Sequence, residues 1–280
     1  LVLVIFGFQI GMSFAQIYGE QLRYQDMGYD LWSVTSGVYT GMRGILPPIQ
    51  RYIYLYIPLI TMGLMSREYQ SGSIKLLYSS PVKNTSIIIG KFLSMMVYGG
   101  ALIAVLGVFV IFSAITIVNF DYPLVLSGML GLYLLILAYS AIGLFMSSIT
   151  KYQVVAAIGT LAVLAVLNFI GDVGQDYDLV RHITYWLSIT GRAYPFIDGL
   201  IASDNIFYFL IVIGFFLALS ILKLNTEKTI TPLKIKVLKY CVIVFVVLIL
   251  GYVSSTPYTK YYYDATYTKS NTLAKESQDV

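Results

Sequence analysis

Seven apolar runs, separated by shorter polar segments, divide the chain. They are Leu1 to about Tyr18, Tyr52 to Met65 with its flanks, Ile87 to Val118, Leu124 to Met146, Val154 to Ile170, Ile206 to Leu222 and Tyr240 to Val253. Runs of this length and polarity predict membrane-crossing helices. Gln9 and Gln16 are the only strongly polar residues of the first run. Ile87 to Val118 is longer than one upright helix needs at about 1.5 Å per residue across roughly 30 Å, so its helix is expected to begin before it enters the bilayer. Gly99-Gly100 within it predicts a bend or a close approach by another helix. Gly19 to Gln50 reads as a polar loop carrying Glu20, Arg23, Asp26, Asp30 and Arg43, closed by Pro47-Pro48, and Asn119 to Pro123 as a tight turn. Gly171 to Asn205 is long but not loop-like. Tyr185, Trp186, Leu187 and Ile189, then Tyr194, Phe196, Ile197, Leu200 and Ile201, predict helices lying in the membrane interface.

Composition agrees with the pattern. Of the 280 residues, 58% are hydrophobic and 11% charged, where a soluble domain carries about 25% charge. The expected fold is therefore an all-α polytopic membrane protein. The first run has no basic n-region before it, so it reads as a truncated first span rather than a signal peptide. One cysteine, Cys241, and one histidine, His182, leave no disulfide framework and no Cys- or His-cluster metal site within the chain.

Charge then orients the spans. Ten of the 18 Lys and Arg residues fall in the three short connectors 66–91, 147–153 and 223–239. Basic short loops mark the cytoplasmic side. This places the N-terminus inside and the tail from Ser254 to Val280 outside.

The most informative connector is Ser66 to Lys91, with Arg67, Lys75, Lys83 and Lys91 against a single acid, Glu68. Ile74, Leu77 and Tyr78 are spaced i, i+3, i+4, which gives a short surface helix one apolar face. Ser79-Ser80 before Pro81 predicts an N-cap with proline in the first turn, and Asn84, Thr85 and Ser86 a second cap. By itself such a segment reads first as a solvated loop that only sets topology.

Glu68, Gly72-Ser73, Leu76-Leu77, Ser80-Pro81 and Gly90-Lys91 resemble, in this order, a segment of the ABC type-2 exporter permeases. There the segment follows the second span and meets the ATPase. Gly143 and Ser147, then Ser148, Thr150, Lys151 and Gln153, resemble that family's junction between the fourth and fifth spans. Gly143 and Ser147 also form a small-xxx-small packing face, and the resemblance leaves a further ATPase contact open for the turn with Ser148, Thr150, Lys151 and Gln153. Gly191-Arg192, Phe196, Gly199, Asp204 and Phe207 to Phe209 resemble the region before the last span in the gliding-motility-type branch. That region reads either as a cap on the outer face or as an outer gate or docking surface. Tyr261 to Asp264, Tyr267, Lys269, Asn271 to Ala274 and Ser277 look like the start of that branch's auxiliary subunit, with Ala274 where a serine is expected.

The resemblance implies a permease domain over 1–225, a basic linker over 226–239, and a seventh span with the start of an extracytoplasmic auxiliary region over 240–280. It implies a cytoplasmic ABC ATPase that binds ATP and Mg, a second permease half, an auxiliary subunit, and a cell-membrane location. Glu68, Gly72, Leu76, Leu77, Ser80 and Pro81 become the expected ATPase contact, with Glu68 pairing a base of the ATPase. The chain itself has no nucleotide-binding loop, since Phe92 follows Gly90-Lys91 and Thr85 stands where the first glycine belongs. No Asp or Glu falls within the expected spans, which argues against an ion-coupled carrier, and no nucleic-acid or catalytic signature appears. The aromatic, charge-poor spans suit lipid, polysaccharide-intermediate or hydrophobic-peptide substrates as well as ordinary lipid contact. A non-transporting membrane scaffold or regulator is the alternative reading.

Overall fold

The computed structural model describes residues 2–28, 31–41, 44–117, 119–228, 232–254, 256 and 259–272. About 80% of it is helical. In chain order the helices are α1 (Val2–Asp26), α2 (Leu31–Tyr39), α3 (Leu46–Thr61), α4 (Ser66–Ser71), α5 (Ile74–Ser79), α6 (Asn84–Thr116), α7 (Tyr122–Ile149), α8 (Gln153–Phe169), α9 (Asp178–Leu187), α10 (Ile189–Ile197), α11 (Ser203–Lys228) and α12 (Leu233–Ser254). A 3-10 turn, Ile170–Asp172, extends α8. Strands β1 (Leu200–Ala202) and β2 (Tyr262–Asp264) pair antiparallel, Ile201 opposite Tyr263.

Among the described residues, six helices are long and apolar enough to cross a membrane: α1, α6, α7, α8 with its 3-10 turn, α11 and α12. The chain is thus an all-α polytopic membrane protein. The expected second span is the exception. Its helix, α3, has 16 residues, about 24 Å at 1.5 Å per residue, because the chain turns after Thr61 and starts α4 at Ser66.

The expected polar loop over 19–50 is largely helical instead. α1 continues to Asp26, and α2 follows. Val34 and Val38, four apart, turn inward and are buried, and the Tyr39 hydroxyl donates to Ser113 Oγ at 2.8 Å. Four-residue spacing of this kind is an inward helical face, masked in the sequence by the surrounding polar residues. Asp30 and Arg43 lie outside the described residues.

α7 is the hub. It packs against α3, α6, α8, α10 and α11, and 72% of its most apolar stretch is buried, against at most 33% in any other candidate span. Small residues on several sides of α7 make this possible, because they let neighbouring backbones come close. A Cβ added at Gly131 would lie 2.4 Å from Phe196 Cβ, and Phe196 is fully buried. Gly99 meets α7 in the same way, its added Cβ 2.9 Å from Ile136 Cγ2, whereas Gly100 faces open space.

These notches explain why α10 does not lie on a surface as expected. Ala193, Phe196 and Ile197 are buried, so α10 is inserted among the long helices. The polar tail also folds back. Ala265 N donates to Gly199 O at 2.7 Å, Tyr267 N to Asp121 Oδ2 at 2.9 Å, and Asn271 Nδ2 to Asp198 O at 2.8 Å. Leu273, Ala274 and Ser277 lie outside the described residues.

Candidate functional site

At one end of the bundle, the two short helices α4 and α5 sit between α3 and α6. Gly72 separates them in a left-handed conformation, φ 76°, which a glycine adopts without steric cost. Ser73 Oγ and Ser71 Oγ are 2.9 Å apart across this turn. In α5, Ile74 is buried and Leu77 and Tyr78 pack on the core, as the i, i+3, i+4 spacing predicts. Leu76 points away and is 72% exposed.

Ser79 and Ser80 end a helix rather than begin one. Ser80 is the C-cap of α5, its Oγ donating to Leu77 O at 3.0 Å and accepting from Val82 N at 3.3 Å. Pro81 follows that cap, as proline often does because it cannot continue a helix. Asn84 opens α6 without capping it, and its Nδ2 donates to Asn225 Oδ1 at 2.8 Å.

Glu68 does not stand free for a partner. Lys91 Nζ lies 2.6 Å from its Oε1, with both side chains three-quarters buried, while Oε2 is buried with no partner among the described residues. The pair ties α4 to the first two turns of α6.

The second turn supports the first. Ser147 Oγ accepts from Met65 N at 2.9 Å and Ser66 N at 3.0 Å and donates to Met62 O at 2.9 Å. It satisfies backbone groups that the break between α3 and α4 would otherwise leave unpaired. Gly143, one turn earlier, abuts Thr61. Both therefore hold α7 against the end of α3, which is the packing role their spacing indicates. Ser148 is buried and donates to Phe145 O, Gln153 Nε2 reaches Gln70 Oε1 at 3.3 Å, and Lys151 is exposed.

The largest feature missed in the sequence is the end of α11. Glu227 Oε2 accepts from the Tyr69 hydroxyl at 2.6 Å and the Tyr78 hydroxyl at 3.0 Å, while Lys223 Nζ pairs with its Oε1 at 2.9 Å. One carboxylate thereby grips both short helices. Burial first, then the nearby Glu227 carboxylate, pushes the Tyr69 phenol far above its ordinary range, so it stays a donor. The available signal was a lone acid four residues after Lys223 in a basic connector. Its partners are about 150 residues earlier and gave none.

At the opposite end, α11 holds the predicted outer hairpin. Arg192 Nη1 lies 3.0 Å from Asp204 Oδ2 and 3.1 Å from Asn205 Oδ1, and its guanidinium is flanked by the Tyr185 and Tyr208 rings. Gly191 N donates to Ser188 Oγ, the N-cap of α10. Gly199 turns the chain into β1 at φ 82°. Gly191, Arg192, Phe196, Gly199 and Asp204 are thus brought together around α10.

β2 joins this end through Asp264. Its Oδ1 accepts from Thr266 N at 2.9 Å and Thr266 Oγ1 at 2.6 Å, and its Oδ2 from Asn271 N at 2.8 Å. Burial raises the carboxyl, but these bonds and the Lys269 charge outweigh it and hold it below its ordinary range. A depressed folded-state value means a contribution complete above the unfolded value of about 3.9 and lost as pH falls through the folded one. Amide exchange over 262–272 is therefore expected to be flat from pH 7 to 5 after correction for intrinsic rates, and to rise below about pH 4. Asp264→Asn should speed it at pH 6 by about 2 kcal/mol of lost protection and remove the acid step.

No curated protein and no solved structure matches the chain. A family model described as ABC-2 family transporter protein matches residues 2–175. That stretch runs from α1 through α8 and so includes the α4–α5 segment and the turn that braces it. The chain belongs to the ABC-2 transporter family and is a membrane permease component of an ABC transporter.

Proposed function

We propose that the chain is the permease of an ATP-driven exporter, and that the α4–α5 segment is where a separate cytoplasmic ABC ATPase docks. Family membership implies an ATPase partner. The single observation that carries the docking assignment is Leu76, a large apolar side chain 72% exposed on a helix whose other apolar residues face inward. Gly72, Lys75, Pro81 and Val82 lie exposed around it. Glu68, Ser73, Leu77, Ser80 and Lys91 act as the brace behind this surface. ATP and Mg sit on the ATPase, whose closure pushes the segment and tilts the helices fixed to it.

The basic short connectors support a cytoplasmic N-terminus and α4–α5 end, with the α10 end and the tail outside the cell membrane. In this reading 1–225 is the permease domain, 226–239 a cytoplasmic linker and 240–280 the start of an auxiliary region. A second permease half completes the path. The residues of the α10 segment and the tail favour the gliding-motility-type branch.

The test is co-purification of the full protein with its cognate ABC ATPase. Leu76→Asp is expected to weaken ATPase retention by about tenfold, the effect of losing one apolar anchor, with the permease still monodisperse. Lys151→Ala, on the neighbouring turn, should change retention by less than about threefold. Unchanged retention in Leu76→Asp would move the docking surface elsewhere.

A further inference from the structure

We propose that the cavity between the α9–α10 segment, the two strands and the end of α12 binds one anionic phospholipid, with its phosphate at Arg192 and Lys260 and an acyl chain along α12. The cavity measures about 830 Å³. Among the described residues, Arg192, Lys260 and Asp204 are the charged residues on its wall, a net charge of one positive. The sign matches a phosphodiester, and the volume takes a lipid headgroup with the start of a chain. The match has a structural counterpart in Arg192. Its side chain is 12% exposed, its Nη1 is satisfied by Asp204 and Asn205, yet its Nε is buried with no acceptor among the described residues. That Nε has no surface open to the cavity, so a phosphate oxygen meets the guanidinium at the edge that lines the cavity, as a charge-assisted acceptor.

The rest of the cavity fits an amphiphile rather than a free anion. Trp186, Leu248, Gly251 and Tyr252 form its wall along α12. α12 packs chiefly along α11, and only 11% of its most apolar stretch is buried. Phe245 and Leu248 carry the exposed apolar face onward from the cavity. Trp and Tyr at the end of a membrane-crossing helix mark the headgroup level. A chain leaving the cavity along Leu248 and Phe245 therefore passes directly into the hydrocarbon. Gly251 lets the Trp186 ring seat directly on α12 and form the wall there, since a Cβ would lie 2.5 Å from that ring and displace it.

The inference does not rest on transport, because binding is read without ATPase or ATP. The full chain, delipidated in a neutral detergent, is titrated with phosphatidylglycerol or phosphatidylcholine and examined by native mass spectrometry. Phosphatidylglycerol is expected to bind at one site, about fivefold or more tighter than phosphatidylcholine, as one basic group near a lipid headgroup provides. Lys260→Ala should remove most of that preference, and Gly251→Leu should abolish the single-site adduct. Lys236→Ala, at the other end of α12, should leave it intact. Equal binding of the two lipids, or a preference untouched by Lys260→Ala, would overturn the proposal. So would competition by free glycerol phosphate as strong as by the lipid, which would indicate an anion site without the chain.

Discussion

Replacing Glu227 by alanine is expected to loosen the α4–α5 segment while the long helices stay folded. The carboxylate accepts the Tyr69 and Tyr78 hydroxyls and pairs with Lys223. Hydrogen bonds to a charged group contribute about 1.5–3 kcal/mol each. The side chain is about one-third exposed, so the two together are placed at about 2–3 kcal/mol rather than their full sum. Amide exchange over 66–80 should accordingly speed up by about 30- to 150-fold, with protection in α7 unchanged. Glu227→Gln retains an acceptor and should fall between. Lys223→Ala removes only the exposed pair and should cost less than about 1 kcal/mol. If the ATPase docks on this segment as proposed, Glu227→Ala should lower transport more than ATP hydrolysis in a reconstituted transporter, because a loosened segment passes on less of the movement. Exchange over 66–80 within twofold of the parent would show that other contacts hold the segment.

That clamp also marks where sequence reading stops. Six of the seven expected spans and the basic connectors were legible, because both are local properties of composition and period. The inward face of α5 was legible for the same reason, as Ile74, Leu77 and Tyr78 repeat at helical spacing. Ser79-Ser80-Pro81 was legible as a break but not as a C-cap, since serine before proline fits either end of a helix. Glu68 was seen as an isolated acid among bases, which suggested an external partner, whereas Lys91 reaches it only because α6 starts beside α4. The partners of Glu227 and Asn225 and the fold-back of the tail were not legible. These partners are far away in the chain, and nothing in a polar residue's neighbourhood says which distant helix end it meets. α2 failed for another reason, because two inward valines in a polar stretch are too weak a period to stand out.

The joint between α3 and α7 is where the largest loss of stability is expected. A Cβ at Gly143 would stand 2.1 Å from Thr61 Oγ1, 2.6 Å from its Cβ and 3.0 Å from its Cγ2. Thr61 is fully buried, and its hydroxyl donates to Ile57 O at 3.0 Å. Its Cβ is itself one of the close atoms and is fixed by the backbone, so no χ1 rotation clears the space. Gly143→Val must therefore push the two helices apart. Overpacking in a well-packed core costs about 1–3 kcal/mol. Here the displaced group is the end of α3, whose exit turn is held by Ser147, one turn beyond Gly143 on α7. The separation also strains those bonds, which places the loss at or above about 3 kcal/mol, or a fall of about 10 °C in Tm. Gly143→Ala should show the same effect in smaller measure. Thr61→Ala removes two of the three close atoms, so it should cost little alone and restore part of the stability of Gly143→Ala. A double-mutant cycle on this pair should give a coupling of about 1 kcal/mol or more. Additive losses would mean that α3 and α7 approach less closely than these distances require. A coupled loss would identify this contact as a tight joint between the hub helix and the helix that leads into the α4–α5 segment.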